Sequence, residues 1–157
     1  MKKLLVIVLA FVSFSVNAQD TLTKSFEDSV IVEFTNLLNQ YRRYSKNIFT
    51  KIENSSEYNA TCKKHSEYQA SIHTVTHDRA DNSKFMNLTN LSGHCENCTA
   101  TLSGLSAKQT ASNLFISWKT SQKGHQRNLN NTELTKFGLG LALSDDGWIY
   151  ATYQAGN

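Results

Sequence analysis

Two apolar runs near the end of the chain, Phe137 to Leu143 and Trp148 to Tyr153, are separated only by Ser144-Asp145-Asp146-Gly147. Asp-Gly between apolar runs is a strong short-range signal for a β-hairpin, because glycine accepts the positive φ that closes such a turn. A hairpin must bury at least one face, so the preceding chain has to supply cover. That cover is helical. Val30, Ile31, Phe34, Leu37, Leu38 and Tyr41 recur at three- and four-residue steps, which predicts a helix ending near the Arg42-Arg43 pair, where cations suit the macrodipole. A second periodic run sets Tyr58, Cys62, His65, Tyr68, Ile72 and Val75 on one stripe and carries His73 and His77 to its end, with Asp78-Arg79 and Asp81-Asn82-Ser83 as the stop.

The segment 81–93 reads as loop, anchored by Phe85, Met86 and Leu88. The latter part of His94 to Leu102 reads as a strand. Ser106 with Gln109 makes a capping box for a third helix, whose inner face is Ala107, Ala111, Leu114, Phe115 and Trp118. The order helix, helix, strand, helix, strand, strand predicts an α+β fold, an α-β-α sandwich whose small antiparallel sheet is covered by helices.

The first 18 residues, MKKLLVIVLAFVSFSVNA, have two lysines, an apolar core and a small-residue end, the pattern of a secretory signal peptide. Their apolar core is well short of the roughly 20 residues that span a bilayer, so no transmembrane anchor is expected after cleavage. Residues 19–157 are then expected to form a single domain, secreted or periplasmic, and a monomer. Of the formal charge of +3, Lys2 and Lys3 supply two, and the other cations are scattered. Such a balance excludes the basic face that nucleic-acid binding requires.

Between the third helix and the hairpin, Trp118 to Asn131 packs Ser121, Gly124-His125, Arg127 and several asparagines into one short stretch. Trp118 reads as core, whereas Arg127, Asn128 and Asn130 read as solvated turn residues, with a rim for a carboxylate or sugar partner as the alternative. Three cysteines remain. In an oxidising compartment Cys95 and Cys98 close a small loop, or Cys62 pairs with one of them. Because a strand rather than a helix follows Cys98, the C-x-x-C reads as structural and not as a redox motif. His73 and His77 have the four-residue spacing of H-E-x-x-H zinc hydrolases, but Thr74 stands where the general-base Glu belongs.

Taken together, the helix FTNLLNQYR, the helix segment KKHSEYQA followed by a terminal His, the pair Glu96-Asn97, the run W-x-x-S-x-x-G-H-x-x-N-L from Trp118 to Leu129 and the strands FGLGLAL and IYATYQ resemble the CAP superfamily of cysteine-rich secretory, pathogenesis-related and SCP-like proteins. The resemblance runs from Val30 to Tyr153. It implies a cleft built from His77, Glu96 and His125, with Ser121 where many members carry a second acidic residue, and Cys95 replaces the Gly of the family's G-E-N. Two imidazoles aided by Glu96 would hold a divalent, zinc-like cation, less firmly than a full tetrad of two His and two acids. His94, beside Cys95 and Glu96, is an alternative ligand, and His65 reads as a core histidine.

Function divides into two readings. In the first, the chain is an extracellular binding or interaction module for a lipid, glycan or protein ligand, and Glu96 and Ser121 orient the two imidazoles. In the second it is a metal-dependent, peptidase-like hydrolase using the same cleft. No G-x-S-x-G elbow surrounds Ser121, which argues against a Ser121–His125–Glu96 triad.

Overall fold

The computed structural model describes residues 22–81 and 94–157. The signal-peptide segment 1–18 and the loop anchors Phe85, Met86 and Leu88 lie outside the described residues. The elements are α1 (Lys24–Lys46), β1 (Glu53–Asn54), α2 (Ser56–Ser71), β2 (Cys95–Leu102), α3 (Ala107–Lys119), α4 (His125–Asn130), β3 (Lys136–Leu143) and β4 (Trp148–Gly156). The strands form one sheet in the order β1-β3-β4-β2. β4 pairs antiparallel with both β2 and β3, whereas the short β1 pairs parallel with β3, so the sheet is mixed and not wholly antiparallel.

Alternation along the strands divides the sheet into two unlike faces. Phe137, Leu139 and Leu141 of β3 and Ile149, Ala151, Tyr153 and Ala155 of β4 join one apolar cluster with Val30, Phe34, Leu38 and Tyr41 of α1 and Ala111, Leu114, Phe115 and Trp118 of α3. The Phe34 ring meets Phe115, Trp118, Phe137 and Tyr153 at centroid distances of 5.6–6.0 Å. The opposite face presents Gly138, Gly140 and Ala142, and α2 lies directly on it. A Cβ at Gly138 would collide with the backbone of Tyr58, and one at Gly140 with the backbone of Cys62 and Lys63. The result is an α-β-α sandwich, with α2 on one face and α1 and α3 on the other.

α1 begins at Thr23, whose hydroxyl accepts from Phe26 N–H, and runs to Lys46 before Asn47 turns left-handed at φ 56°. It therefore continues past the expected stop at Arg42-Arg43. Arg42 does not face solvent at a helix end; it is fully buried. α3 opens with both reciprocal bonds of the Ser106/Gln109 capping box. The β3–β4 turn closes with Gly147 at φ 83°.

α2 is shorter than its apolar stripe predicts. The chain leaves the helix through a Schellman pattern, with Thr74 N–H donating to Gln69 O at 3.1 Å and His73 N–H to Ala70 O at 3.4 Å. His73 takes the left-handed position at φ 50° that glycine usually fills, so no glycine marks the stop. Ile72 and Val75, which extend the stripe, are 42% and 45% exposed. His77 consequently lies beyond the helix, not on it. The inward face of α2 is mostly polar: Cys62, His65, Ser66, Gln69 and Ala70. Among the described residues no helix is long and apolar enough to cross a membrane.

Candidate functional site

The edge strand β2 organises the site. Glu96 pairs with Gln154 and Asn97 with Tyr153 across the ladder, and successive side chains point to opposite faces. Glu96 thus lies on the α2 side, and Asn97 on the side of α3 and α4. Each holds one side of the candidate site.

On the α2 side, the segment carrying His77 is fixed through Thr76. Gln69 Oε1 accepts from Thr76 N–H at 3.1 Å, and His65 Nε2 donates to Thr76 O at 2.8 Å. His77 Nδ1 then lies 2.9 Å from Glu96 Oε1. Glu96 also accepts from Gln154 Nε2 at 2.9 Å and from Arg79 Nη1 at 3.3 Å, and Arg79 Nη2 closes the bidentate pair on Oε2. Gln154 is oriented in turn by Thr61, whose hydroxyl donates to its Oε1 at 2.7 Å. Burial is the largest single influence on the Glu96 carboxyl and raises its pKa. The hydrogen bonds from His77, Arg79 and Gln154, with the Arg79 charge, outweigh it and hold the group below its ordinary value. Glu96 is therefore a carboxylate at neutral pH, and a carboxylate only accepts, so Nδ1 is the His77 nitrogen that donates to it. The Glu96 side chain is 2% exposed and that of His77 52% exposed: an anchored base with an open imidazole.

On the other side, Asn97 Nδ2 donates to His125 O at 3.1 Å. Asn128 Nδ2 reaches Asn97 Oδ1 at 2.7 Å and Glu96 O at 3.2 Å. The far end of α4 is held by Arg42, whose Nη1 donates to Leu129 O at 3.1 Å and Asn131 O at 2.8 Å, a cation on the carbonyls of a helix C-terminus. The His125 ring has its centroid 6.4 Å from that of His77. Burial, followed by the charges of His77 and Lys123, lowers its pKa and keeps it neutral.

His77, Glu96 and His125 are thus brought together. Ser121 is not part of that cluster: its hydroxyl accepts from Lys123 N–H at 3.2 Å, and among the described residues it has no hydrogen bond to either imidazole. It lines a separate open hollow of about 420 Å³ with Gln122, Lys123, Gly124, Gln126 and Arg127. His94 rests on Tyr58, with ring centroids 5.7 Å apart, at the end of β4. His73 lies apart from this cluster and meets Asp145 on the hairpin turn at 2.6 Å.

Arg79 and Gln154 are members of the site that sequence reasoning missed. Arg79 reads along the chain as part of a helix stop, and nothing in its neighbours signals a partner on β2. Gln154 follows the inward alternation of β4, a weak signal for a polar group aimed at Glu96.

The three cysteines are free thiols. Cys95 and Cys98 stand on opposite faces of β2, which rules out the small loop between them. Burial pushes the Cys95 thiol up to about 12, and those of Cys62 and Cys98 well above their usual value, so none is a ready nucleophile or thiolate ligand. His65, Glu96 and Cys98 do place ligand atoms within 4.8 Å of one another. That trio is nevertheless a poor metal centre, because the Glu96 oxygens and His65 Nε2 already hold hydrogen bonds and the thiol stays protonated.

A divalent cation at this pair would have to be held by His77 and the His125 ring, with Glu96 behind His77.

Comparison with known proteins agrees with this architecture. The model of the cysteine-rich secretory protein family, CAP, matches residues 35–154. No curated protein matches the sequence closely enough to count as a relative. Among solved structures, an outer surface protein from Borrelia burgdorferi superposes with a TM-score of 0.63 at 16% identity, over 87% of this chain and 96% of that one. NaASP2, solved with Zn2+, gives 0.59 at 14% identity over 82% and 80%. A cysteine-rich secretory protein from Staphylococcus aureus gives 0.50 at 12% identity, over 83% of this chain and 39% of that longer one. At these identities the likeness is one of fold.

Proposed function

The chain belongs to the cysteine-rich secretory protein (CAP) family, and from that premise we propose that it is a secreted binding module whose cleft is the His77–His125 pair, with Glu96 as the residue that orients His77. The observation that carries this reading is the state of Glu96. Both of its oxygens are taken up by His77, Arg79 and Gln154. A carboxylate so engaged has no free lone pair directed at a water or a scissile bond, so it is not available as the general base of a hydrolase. Ser121 lacks an imidazole partner, and the thiols are protonated. The hydrolase reading therefore has no identified base or nucleophile, whereas the two imidazoles are open to a ligand.

The pair accommodates a zinc-class cation through His77 and His125. When bound, such a cation would supply Lewis acidity toward an oxygen of the ligand. Two nitrogen ligands without a free carboxylate make a weak site. The buried Arg79 weakens it further, because it cancels the charge of Glu96 that would otherwise attract a cation. NaASP2, a structural relative solved with Zn2+, supports the choice of metal class. The signal-peptide pattern of residues 1–18 supports export. A lipid, glycan or protein ligand remains the expectation.

The test is zinc calorimetry together with a hydrolysis screen on the wild type, His77→Ala and His125→Ala. We expect zinc affinity to fall about tenfold or more in each variant, the loss of one ligand, with no turnover in any. Turnover that needs both histidines in a folded protein would overturn the binding-module reading in favour of the hydrolase.

A further inference from the structure

The hollow beside His125 has a chemistry of its own. Between Glu96 and Glu133 the sequence contains no Asp or Glu, yet it carries Lys108, Lys119, Lys123 and Arg127. Two of these cations, Lys123 and Arg127, line the hollow, and the rest of its lining is Ser121, Gln122, Gly124 and Gln126. Among the described residues neither Lys123 nor Arg127 forms an ion pair. The Arg127 guanidinium lies beside Gly124, at ordinary van der Waals distance, 3.5 Å, from where a Cβ would stand on that residue. Gln126 is pinned by donating to Lys119 O at 2.8 Å, and Lys123 N–H by donating to the Ser121 hydroxyl at 3.2 Å. The lining is thus two unpaired cations and amide groups on a loop held at several points.

We infer that this hollow is an anion subsite, taking a carboxylate or sulfate-type oxyanion of the ligand that the neighbouring cleft receives. Its link to the cleft is Lys123, near enough to His125 for its charge to act on the imidazole. A guanidinium and an ammonium facing an open concavity without carboxylate partners are the groups that recognise oxyanions, Arg127 by its planar fork and Lys123 as a point charge. The cleft reinforces the preference. Arg79 neutralises Glu96 and Ser121 stands where an acid is expected, so the His77–His125 pair brings no free negative charge to repel an anion. The place of this subsite in a larger ligand rests on the binding-module reading, but its affinity for a simple anion does not.

The probe is inorganic sulfate, titrated into the zinc-free, 15N-labelled protein, with sodium acetate as a second arm. The expected result is saturable amide shifts confined to Ser121–Arg127. Affinity should fall about tenfold for each charge-assisted contact removed, in Lys123→Ala and in Arg127→Ala, while His77→Ala leaves it unchanged. Shifts that never saturate, that spread over all lysine-bearing surfaces, or that persist undiminished in Lys123→Ala/Arg127→Ala would overturn the inference. Saturation by sulfate with no zinc response at His77 would sink the reading of the cleft and leave the subsite standing. Zinc binding by both histidines without sulfate binding would do the reverse. A stronger response to acetate than to sulfate identifies a carboxylate as the natural group.

Discussion

The two faces of the sheet are built by different means. Toward α1 and α3, β3 and β4 present Phe137, Leu139, Leu141, Ile149 and Tyr153 to a set of aromatic rings around Phe34 and Trp118. Toward α2 they present Gly138, Gly140, Thr152 and Gln154, and the buried residues of the helix answer with Ser66 and Gln69. Ser66 Oγ donates to Gly140 O at 2.9 Å and Gln69 Nε2 to Thr152 Oγ1 at 2.8 Å. Dispersion and apolar burial carry the first face, which needs only approximate shape. The second needs every donor matched to an acceptor, since a half-satisfied buried network costs more than an apolar one. The site grows from the second face. The polar helix that lies on the glycines fixes Thr76, hence His77, and the same network ends on Glu96.

If that division is right, damage to the two faces should differ in kind. Trp118→Ala on the apolar face should cost about 3–5 kcal/mol in urea unfolding, the usual range for emptying a buried aromatic site, while the imidazoles keep their arrangement. Arg79→Leu should cost about 3 kcal/mol, because it strands Glu96 without its charge partner. Combining it with Glu96→Gln should restore part of the loss, with a coupling of about 1 kcal/mol or more in a double-mutant cycle. Simple addition of the two effects would break the claim that the pair acts as a unit. A smaller effect is expected further along the network. Thr152→Val alone leaves Gln69 without its acceptor and should cost about 1–2 kcal/mol, whereas Thr152→Val with Gln69→Leu should cost less than the sum of the two single changes.

The pH dependence sharpens the same contrast. His65 has its pKa lowered, mainly by burial, and so has His125, so below their ordinary 6.5 the unfolded chain binds protons that the folded chain resists. Glu96 is also held below its ordinary 4.5, so its contribution is present above that value and is lost as pH falls through the lower folded one. Both signs agree: stability rises with pH through the acid range and levels off above pH 6.5. Denaturation midpoints against pH should show this for the wild type. Glu96→Gln should remove the lowest part of the slope and leave the histidine part, and an unchanged acid limb in that variant would count against the ionised carboxylate.

Legibility in the sequence follows the same division. α1, α3 and the hairpin declare themselves through apolar periodicity, a capping box and Asp-Gly, and they lie where those signals put them except that α1 runs on to Lys46. α2 misleads, because its buried face is polar and the apolar residues that extend its stripe, Ile72 and Val75, are exposed on either side of the left-handed His73. A left-handed histidine leaves no mark in the sequence comparable to glycine. Glu96 and His125 are visible only through the family's motifs, and their meeting with His77 depends on β2 pointing adjacent residues to opposite faces. Arg79 was unreadable for a simpler reason: its partner lies across a tertiary contact that no local pattern encodes.

The central claim is that Glu96 holds His77 in one tautomer so that the imidazole pair faces outward. Long-range 1H–15N correlation spectra of the imidazole nitrogens, recorded at neutral pH before and after zinc addition, test it most directly. The account predicts His77 protonated at Nδ1, with zinc shifting the lone-pair nitrogens of His77 and His125 together. A His77 protonated at Nε2, or zinc that moves His73 and leaves this pair untouched, would contradict it.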